Sequence, residues 1–141
     1  MVDPHILVLA IVNMSEGVKA FIGDKGAKVV LRDAGRQSGP KLLESLIGRF
    51  PGVLDKEEAL RRTCIILEEL GFAKSIKKEN GNVVIEEDIF TDSIMGENLS
   101  DSPVIYFFTG LIEGFVSFMG DQKVTLVLEV VERGKIVYKY L

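Results

Sequence analysis

The chain has 141 residues and a mass of 15.6 kDa, and 47% of its residues are hydrophobic while 27% are charged. This length suits one domain, and the apolar content excludes a disordered tail. The 17 basic and 21 acidic residues give a net charge of −4. Binding to nucleic acid or to an anionic membrane mainly through electrostatic attraction is therefore not expected. We predict a single domain over residues 1–141.

Cysteine and histidine are each present once, which limits redox and metal chemistry. Cys64 cannot close an internal disulfide, and His5 cannot supply the repeated imidazole ligands of a zinc site. The apolar run from Ile6 to Val12 is shorter than the ~20 residues that span a bilayer, and no basic charge precedes it. We therefore predict a cytoplasmic protein with no membrane span, no metal site and no cofactor.

The segment from Pro4 to Phe50 predicts three helices, because apolar residues recur in it at three- and four-residue spacing. Gly23 followed by Asp24 is typical of one helix ending and another beginning. Ser38-Gly39-Pro40 predicts a second interruption, with Pro40 in the first turn of the third helix.

A fourth helix is predicted from Asp55 to about Leu70. Asp55 stands three residues before Glu58 in a variant of the capping box, and Gly71 is a suitable left-handed stop. Cys64 lies on the apolar stripe of this helix with no adjacent histidine, which indicates a buried, inert thiol.

The chain then changes to a pattern of short strands. Runs at Ala73–Lys78 and Val83–Ile89 flank Asn80-Gly81, a strong type I′ turn signal, and predict an antiparallel hairpin. The polar stretch from Thr91 to Asp101 predicts an exposed loop.

The most apolar segment follows, from Val104 to Met119, and predicts a helix buried on most sides. Gly110 and Gly114 lie along one face of it and would let another helix approach closely, within the subunit or between subunits. Val124–Val131 and Ile136–Tyr140 predict a final hairpin. Together these elements predict an α+β domain, in which an antiparallel sheet of about four strands packs against a layer of about five helices.

Two groups of side chains are candidates for binding. The rings of the buried helix either line a cavity for an apolar small molecule or fill the core. The candidate ligand-binding residues on this helix are Tyr106, Phe107, Phe108, Leu111 and Phe115. Lys28, Arg32 and Arg36 form a basic stripe at i, i+4 spacing. In one interpretation, Arg32 or Arg36 binds a carboxylate or phosphate group of a ligand, or an acidic strip of a partner. In the other, both arginines belong to a solvated helix face with ordinary ion pairs.

Two stretches carry motifs of small and apolar residues. Residues 23–39 read Gly-x-x-Gly-Ala-x-x-x-Leu-Arg-x-Ala-Gly-Arg-x-Ser-Gly, and residues 103–115 read Pro-Val-Ile-Tyr-Phe-Phe-x-Gly-Leu-Ile-x-Gly-Phe, with Glu129 and Gly134 further on. The chain resembles, over nearly its whole length, the vinyl-4-reductase (4VR) domain found in bacterial and archaeal regulators.

The resemblance implies a fold similar to the small subunits of the Golgi vesicle-tethering (TRAPP) complex, which pair through helices. It also implies a small-molecule-binding role, with hydrocarbons as suggested ligands and no reductase activity. Many members carry three cysteines at positions that correspond here to Ile105, Glu132 and Tyr138. A thiolate metal site is therefore not available to this chain.

Two functions follow as hypotheses. The first is a homodimeric, non-enzymatic domain that binds an apolar small molecule and senses or carries it. The alternative is a structural protein–protein interaction module with a filled core and no ligand. An enzyme is not expected, because no acid, base and nucleophile converge in the sequence.

Overall fold

Four helices and four strands form the part of the chain that the structure, a computed structural model, describes, which is residues 3–49 and 53–141. In chain order they are α1 (Pro4–Ile22), α2 (Asp24–Ile47), α3 (Lys56–Glu69), β1 (Ala73–Glu79), β2 (Asn82–Asp88), α4 (Pro103–Met119), β3 (Leu126–Glu132) and β4 (Lys135–Tyr140). The predicted α+β class is confirmed. The described helical layer has four α-helices where about five were expected, because residues 24–47 form one helix.

The predicted interruption at Ser38-Gly39-Pro40 is wrong, since α2 is one helix of 24 residues that includes Pro40. Proline has no N–H to donate to the carbonyl oxygen of residue 36, and in an isolated helix this would favour a break. Here that Arg36 carbonyl packs against Gly114 of α4, and Gly39 lies against the same glycine. The contact between the two helices therefore holds α2 in one piece.

The other predicted helix boundaries within the described residues are confirmed, whereas Phe50, the end of the predicted helical segment, lies outside them. Gly23 has a φ of 89° and joins α1 to α2 as a one-residue hinge. The Asp55 carboxylate accepts a hydrogen bond of 2.8 Å from the Glu58 N–H and caps α3.

The four strands form one antiparallel sheet in the order β1-β2-β4-β3. Both predicted hairpins are present, and their inner strands β2 and β4 pair with each other. Asn80 and Gly81 both have positive φ, as a type I′ turn requires. The strand residues that pack into the core with no exposed surface are Val83, Ile85, Ile136 and Tyr138.

Helix α4 lies at the centre of the molecule, and 13 of its 17 residues are buried. It runs parallel to α2, and four glycines meet where the helices touch: Gly35 and Gly39 on α2, Gly110 and Gly114 on α4. A Cβ atom placed on Gly114 would lie 2.7 Å from the Arg36 carbonyl oxygen. The close helix approach predicted from the α4 glycines is thus confirmed, and it lies within the subunit.

The segment from Thr91 to Asp101, predicted to be an exposed loop, is partly buried and contains two short 3₁₀ turns. The buried Asp88 carboxylate accepts hydrogen bonds from the N–H groups of Phe90 and Thr91 and from the Thr91 hydroxyl. Arg133, in the last hairpin, donates to the carbonyl groups of Thr91, Ile94 and Gly96. The prediction of an exposed loop was wrong because it rested on the polar composition of the segment. The hydrogen bonds from Arg133, which is distant in the sequence, could not be foreseen from that composition.

Candidate functional site

The rings of α4 lie in a closely packed core. Phe108 and Phe115 have no exposed surface, and Leu111 is buried, while Tyr106 and Phe107 are half-buried. Phe108 stacks on Phe72 at 5.9 Å between ring centroids and meets Phe90 at 5.2 Å. The close ring contacts are those of a filled interior.

Pockets at the surface involve other residues. None of five pockets formed by the described residues has a wall that includes Tyr106, Phe107, Phe108, Leu111 or Phe115. The assignment of these five residues to an apolar ligand therefore remains a prediction.

A buried hydroxyl pair joins α4 to the sheet. The hydroxyl oxygens of Thr109 and Tyr138 lie 2.8 Å apart, and Tyr138 is wholly buried. Burial raises the pKa of Tyr138 far above its usual range, since the phenolate would lose its hydration. Tyr138 is therefore a neutral structural contact of the core.

The arginines of the basic stripe bind a carboxylate of the chain itself. Glu113 on α4 is 3% exposed, and its two oxygens accept hydrogen bonds of 2.9 and 2.6 Å from Nε and Nη2 of Arg32. Arg36 Nε donates to Glu113 Oε1 at 2.9 Å, and the Leu126 N–H donates to Oε2 at 3.0 Å. The ion-pair cluster of Arg32, Arg36 and Glu113 thus connects α2, α4 and the start of β3.

The ion-pair cluster determines the protonation state of Glu113. Burial by itself would raise the pKa of this carboxyl group, but the hydrogen bonds from Arg32, Arg36 and Leu126 outweigh it and leave the pKa below its ordinary value of 4.5. The hydrogen bond to Glu113 in turn raises the pKa of Arg32. The carboxylate is therefore ionised at neutral pH.

We expect the free energy of unfolding to depend on pH through Glu113. Since its folded pKa lies below 4.5, its stabilisation should be complete above about pH 5.5 and should be lost as the pH falls through 4.5 toward the lowered value. Urea unfolding between pH 6 and pH 3.5 should show this loss, with a shallower dependence in Glu113→Gln. Equal slopes for the two proteins would contradict this role.

Lys28, the first residue of the basic stripe, also makes contacts within the chain. Its Nζ lies 3.4 Å from an Asp101 carboxylate oxygen and 3.5 Å from an Asp24 oxygen. It also lies 5.3 Å from the centre of the Tyr106 ring, within the range of a cation–π contact. The stripe and the aromatic helix therefore adjoin each other, but Arg32 and Arg36 reach Glu113 and not the buried rings.

The predicted burial of Cys64 is confirmed. Desolvation raises the pKa of its thiol to about 11, so very little thiolate is present at neutral pH. In residues 3–49 and 53–141, no group of three or more His, Cys, Asp or Glu side chains is arranged to hold a metal ion.

One pocket with charged side chains was missed by the sequence analysis. Its wall consists of Arg36, Glu113, Ser117, Lys123, Val124 and Thr125; it is open to solvent and has a volume of about 260 Å³. The sequence analysis singled out only Arg36 among these residues. The others were missed because the pocket combines α2, the end of α4 and the connector to β3, which are far apart in the sequence. The available signal was Glu113, a single charged residue in an otherwise apolar helix, which requires a partner when buried.

A second feature missed by the sequence analysis is a surface that we call the outer helical face. It consists of exposed apolar side chains on α1 and the first half of α2: Ile6, Leu7, Met14, Phe21, Val29 and Val30. Phe21 is 89% exposed, and only Val12 and Ser15 of α1 are buried. An exposed apolar patch of this kind marks an interaction surface in soluble proteins.

Helix α1 is long and apolar enough to cross a bilayer, with a mean hydropathy of 1.5 over its most apolar window. It is the one such helix among the described residues. The sequence analysis counted only Ile6–Val12, whereas the helix extends over 19 residues. Core helices of soluble proteins and signal sequences meet the same criterion, so this is weak evidence for a membrane span.

Comparison of the chain with known protein families gives no matching family, and comparison with curated proteins gives no matching protein. The 4VR resemblance therefore remains a prediction that rests on the motifs at residues 23–39 and 103–115.

Proposed function

We propose that the chain is a non-enzymatic interaction module that pairs with a second copy of itself through the outer helical face. The observation that carries this proposal is the exposure of α1. This 19-residue helix buries only Val12 and Ser15 within the subunit. Burial of apolar surface is the main source of helix stability in proteins. Since the subunit covers little of α1, a partner that covers its exposed apolar side chains would stabilise this helix further.

The size of the outer helical face fits a small, weak interface. Helix α1, with 19 residues, is about 28 Å long, and the first half of the 24-residue α2 adds about 18 Å. A strip about 10 Å wide along both covers roughly 460 Å², which is below the ~800 Å² per partner of a standard interface and within the range of weak complexes. We therefore expect a dimer that dissociates at low protein concentration.

The charge distribution also favours a second copy. The charged side chains of α1 turn toward the subunit: Glu16 accepts from the Ser102 hydroxyl, and Lys19 donates to the Asp101 carbonyl oxygen. The exposed side of α1 that remains carries no Asp, Glu, Lys or Arg side chain.

Along α2, Val29 and Val30 adjoin Arg32, Asp33 and Arg36, so charges of both signs border the face. In a two-fold dimer, charges of opposite sign can then lie opposite each other.

A membrane is the other occupant to consider. Crossing a bilayer would break the contacts of Glu16 and Lys19 with residues 101 and 102. Asp3 and Asp24, next to the two ends of α1, are acidic, whereas helices that lie on anionic membranes carry lysine and arginine. These features favour a second copy in a cytoplasmic protein, and the 4VR resemblance implies the same pairing through helices.

The filled core supports the interaction module over the apolar-ligand domain. Phe108 and Phe115 are fully buried, and Phe108 is in contact with the rings of Phe72 and Phe90. The described residues thus supply an interface candidate, and none of five pockets that they form is lined by a ring of α4. The sensor or carrier function remains a prediction with no supporting observation of this kind.

Self-association tests the proposal. Sedimentation equilibrium should give a dimer for the natural chain and a monomer for the double variant Met14→Asp/Phe21→Asp, because buried carboxylates would face each other across the two-fold axis. The matched control is Met95→Asp. Met95 is 87% exposed but lies in the segment between the two 3₁₀ turns, so this variant should remain a dimer.

Three results would contradict the proposal: a monomeric natural chain, a double variant that stays dimeric while folded, or a natural chain that sediments with neutral phosphatidylcholine vesicles through Met14 and Phe21. Native mass spectrometry of the purified protein separates the two sequence-based hypotheses, both of which expect a dimer. A mass equal to two chains and nothing more supports the interaction module, whereas an additional lipid-like mass supports the apolar-ligand domain.

A further inference from the structure

We propose that the pocket formed by Arg36, Ser117, Lys123 and Thr125 binds the phosphate group of a small ligand. This site shares no residue with the outer helical face, although Arg36 lies beside Val29 and Val30 of that face, and phosphate binding does not require dimer formation. It also differs from the predicted apolar site, because the wall of the pocket contains cations and hydroxyl groups.

The charges around the pocket favour an anion. Arg32 satisfies Glu113 with two hydrogen bonds, and these two charges cancel. Arg36 and Lys123 then leave an excess of two positive charges, and Glu113 is the one acidic side chain among the residues of the wall. The carbonyl end of α4 contributes about half a negative charge, which is too little to cancel two cations.

The hydrogen bonding of Arg36 prepares it for an oxyanion. Its Nε donates to Glu113 and restrains the guanidinium group, while the side chain remains 47% exposed and accessible to a ligand. Among the described residues, its two Nη groups and the Lys123 ammonium group have no hydrogen-bond or ion-pair partner. Two Nη groups in one plane match two oxygens of a phosphate, and holding the side chain in place beforehand reduces the entropy cost of binding.

The polar groups and the size of the pocket fit a small ligand. The Thr125 hydroxyl has no partner among the described residues and is free to donate to a phosphate oxygen. The Ser117 hydroxyl donates its hydrogen to the Gly114 carbonyl oxygen, so it lines the pocket without donating to the ligand. The volume of about 260 Å³ is below the ~300–1,000 Å³ of pockets that hold drug-sized molecules. A phosphate with a short organic group fits this space, whereas a nucleotide would extend outside it.

Titration of the full-length protein with inorganic phosphate tests the proposal, with the heat of binding and the phosphorus NMR signal as readouts and ionic strength held constant with sodium chloride. We expect saturable binding of one phosphate per chain. Lys123→Gln and Arg36→Lys should each weaken it by roughly tenfold or more, since each loses a charge-assisted or forked contact. Neither variant removes Glu113 or Arg32.

The matched control is Lys139→Gln, which removes an exposed lysine of β4 outside the pocket and should leave phosphate binding unchanged. Glycerol phosphate in a parallel titration distinguishes free phosphate from a phosphate ester. Tighter binding of the ester identifies an organic phosphate as the ligand, and weaker binding identifies inorganic phosphate. Absence of saturable binding for both, or equal binding by the natural chain and Lys123→Gln, would overturn the proposal.

Discussion

Gly110→Ala is expected to destabilise the folded chain by roughly 4 kcal/mol or more, a loss that few single substitutions cause. The new Cβ atom would overlap the carbonyl oxygen of Arg32 on the neighbouring helix. Backbone atoms cannot rotate away as a side chain can, so α2 and α4 would have to separate. Separation would expose the core around Phe108 and Phe115 and would pull Arg32 from Glu113.

Gly26→Ala is the matched control for Gly110→Ala. Gly26 is also helical, but a Cβ atom there would make an ordinary contact of 3.5 Å with the Ile22 side chain. The alanine should therefore leave stability unchanged or raise it by up to about 1 kcal/mol through its better helix propensity. Chemical denaturation measures both variants. A Gly110→Ala protein as stable as Gly26→Ala would show that the two helices do not touch at this glycine.

Glu113→Ala is expected to lower the free energy of unfolding by roughly 3 to 5 kcal/mol, which is the usual effect of removing one partner from a buried ion pair. Glu113 is 3% exposed, whereas the Arg32 side chain is 25% exposed. The substitution would leave Arg32 without its carboxylate and the Leu126 N–H without its acceptor. Since the ion-pair cluster joins α2, α4 and β3, the loss should appear in one cooperative unfolding transition.

Glu58→Gln is the control for Glu113→Ala. Glu58 also pairs with two arginines, Arg61 and Arg62, and these pairs lower its pKa to about 2, but the three side chains lie on the surface of α3. Surface ion pairs of this kind contribute little, because water and salt screen them. The unfolding midpoint of Glu58→Gln should therefore stay close to that of the natural chain. Equal losses in the two variants would show that burial does not strengthen the Glu113 pairs.

Helix α4 illustrates how far sequence reasoning extends when the signal is local. Its length, its burial and the close approach at Gly110 and Gly114 all follow from the run of apolar residues and the four-residue spacing of the glycines. The same reasoning identified the hairpin turn at Asn80-Gly81 and the cap at Asp55. In each case the decisive residues are neighbours in the chain.

Local signals failed where a distant contact was stronger. Ser38-Gly39-Pro40 is typical of a helix break, yet the packing of Gly39 against Gly114 keeps α2 continuous. The polar segment after β2 is typical of an exposed loop, yet Arg133 holds it from a position about 40 residues further along the chain.

The candidate sites show the same division. Arg32 and Arg36 were identified as cations with a possible anionic partner, but that partner is Glu113, 77 to 81 residues away in the chain. The phosphate-site candidate required Lys123 and Thr125 to be placed next to Arg36. The outer helical face required knowledge of which side of α1 the subunit covers.

The sequence by itself determined the α+β class, most of the element boundaries and the burial of α4, because hydrophobic spacing, caps and turn residues act within a few positions along the chain. The tertiary structure alone decided that α2 is unbroken, that Glu113 neutralises Arg32, and that α1 is left uncovered. These outcomes depend on which helix lies against which, and that arrangement is determined by packing between residues far apart in the sequence.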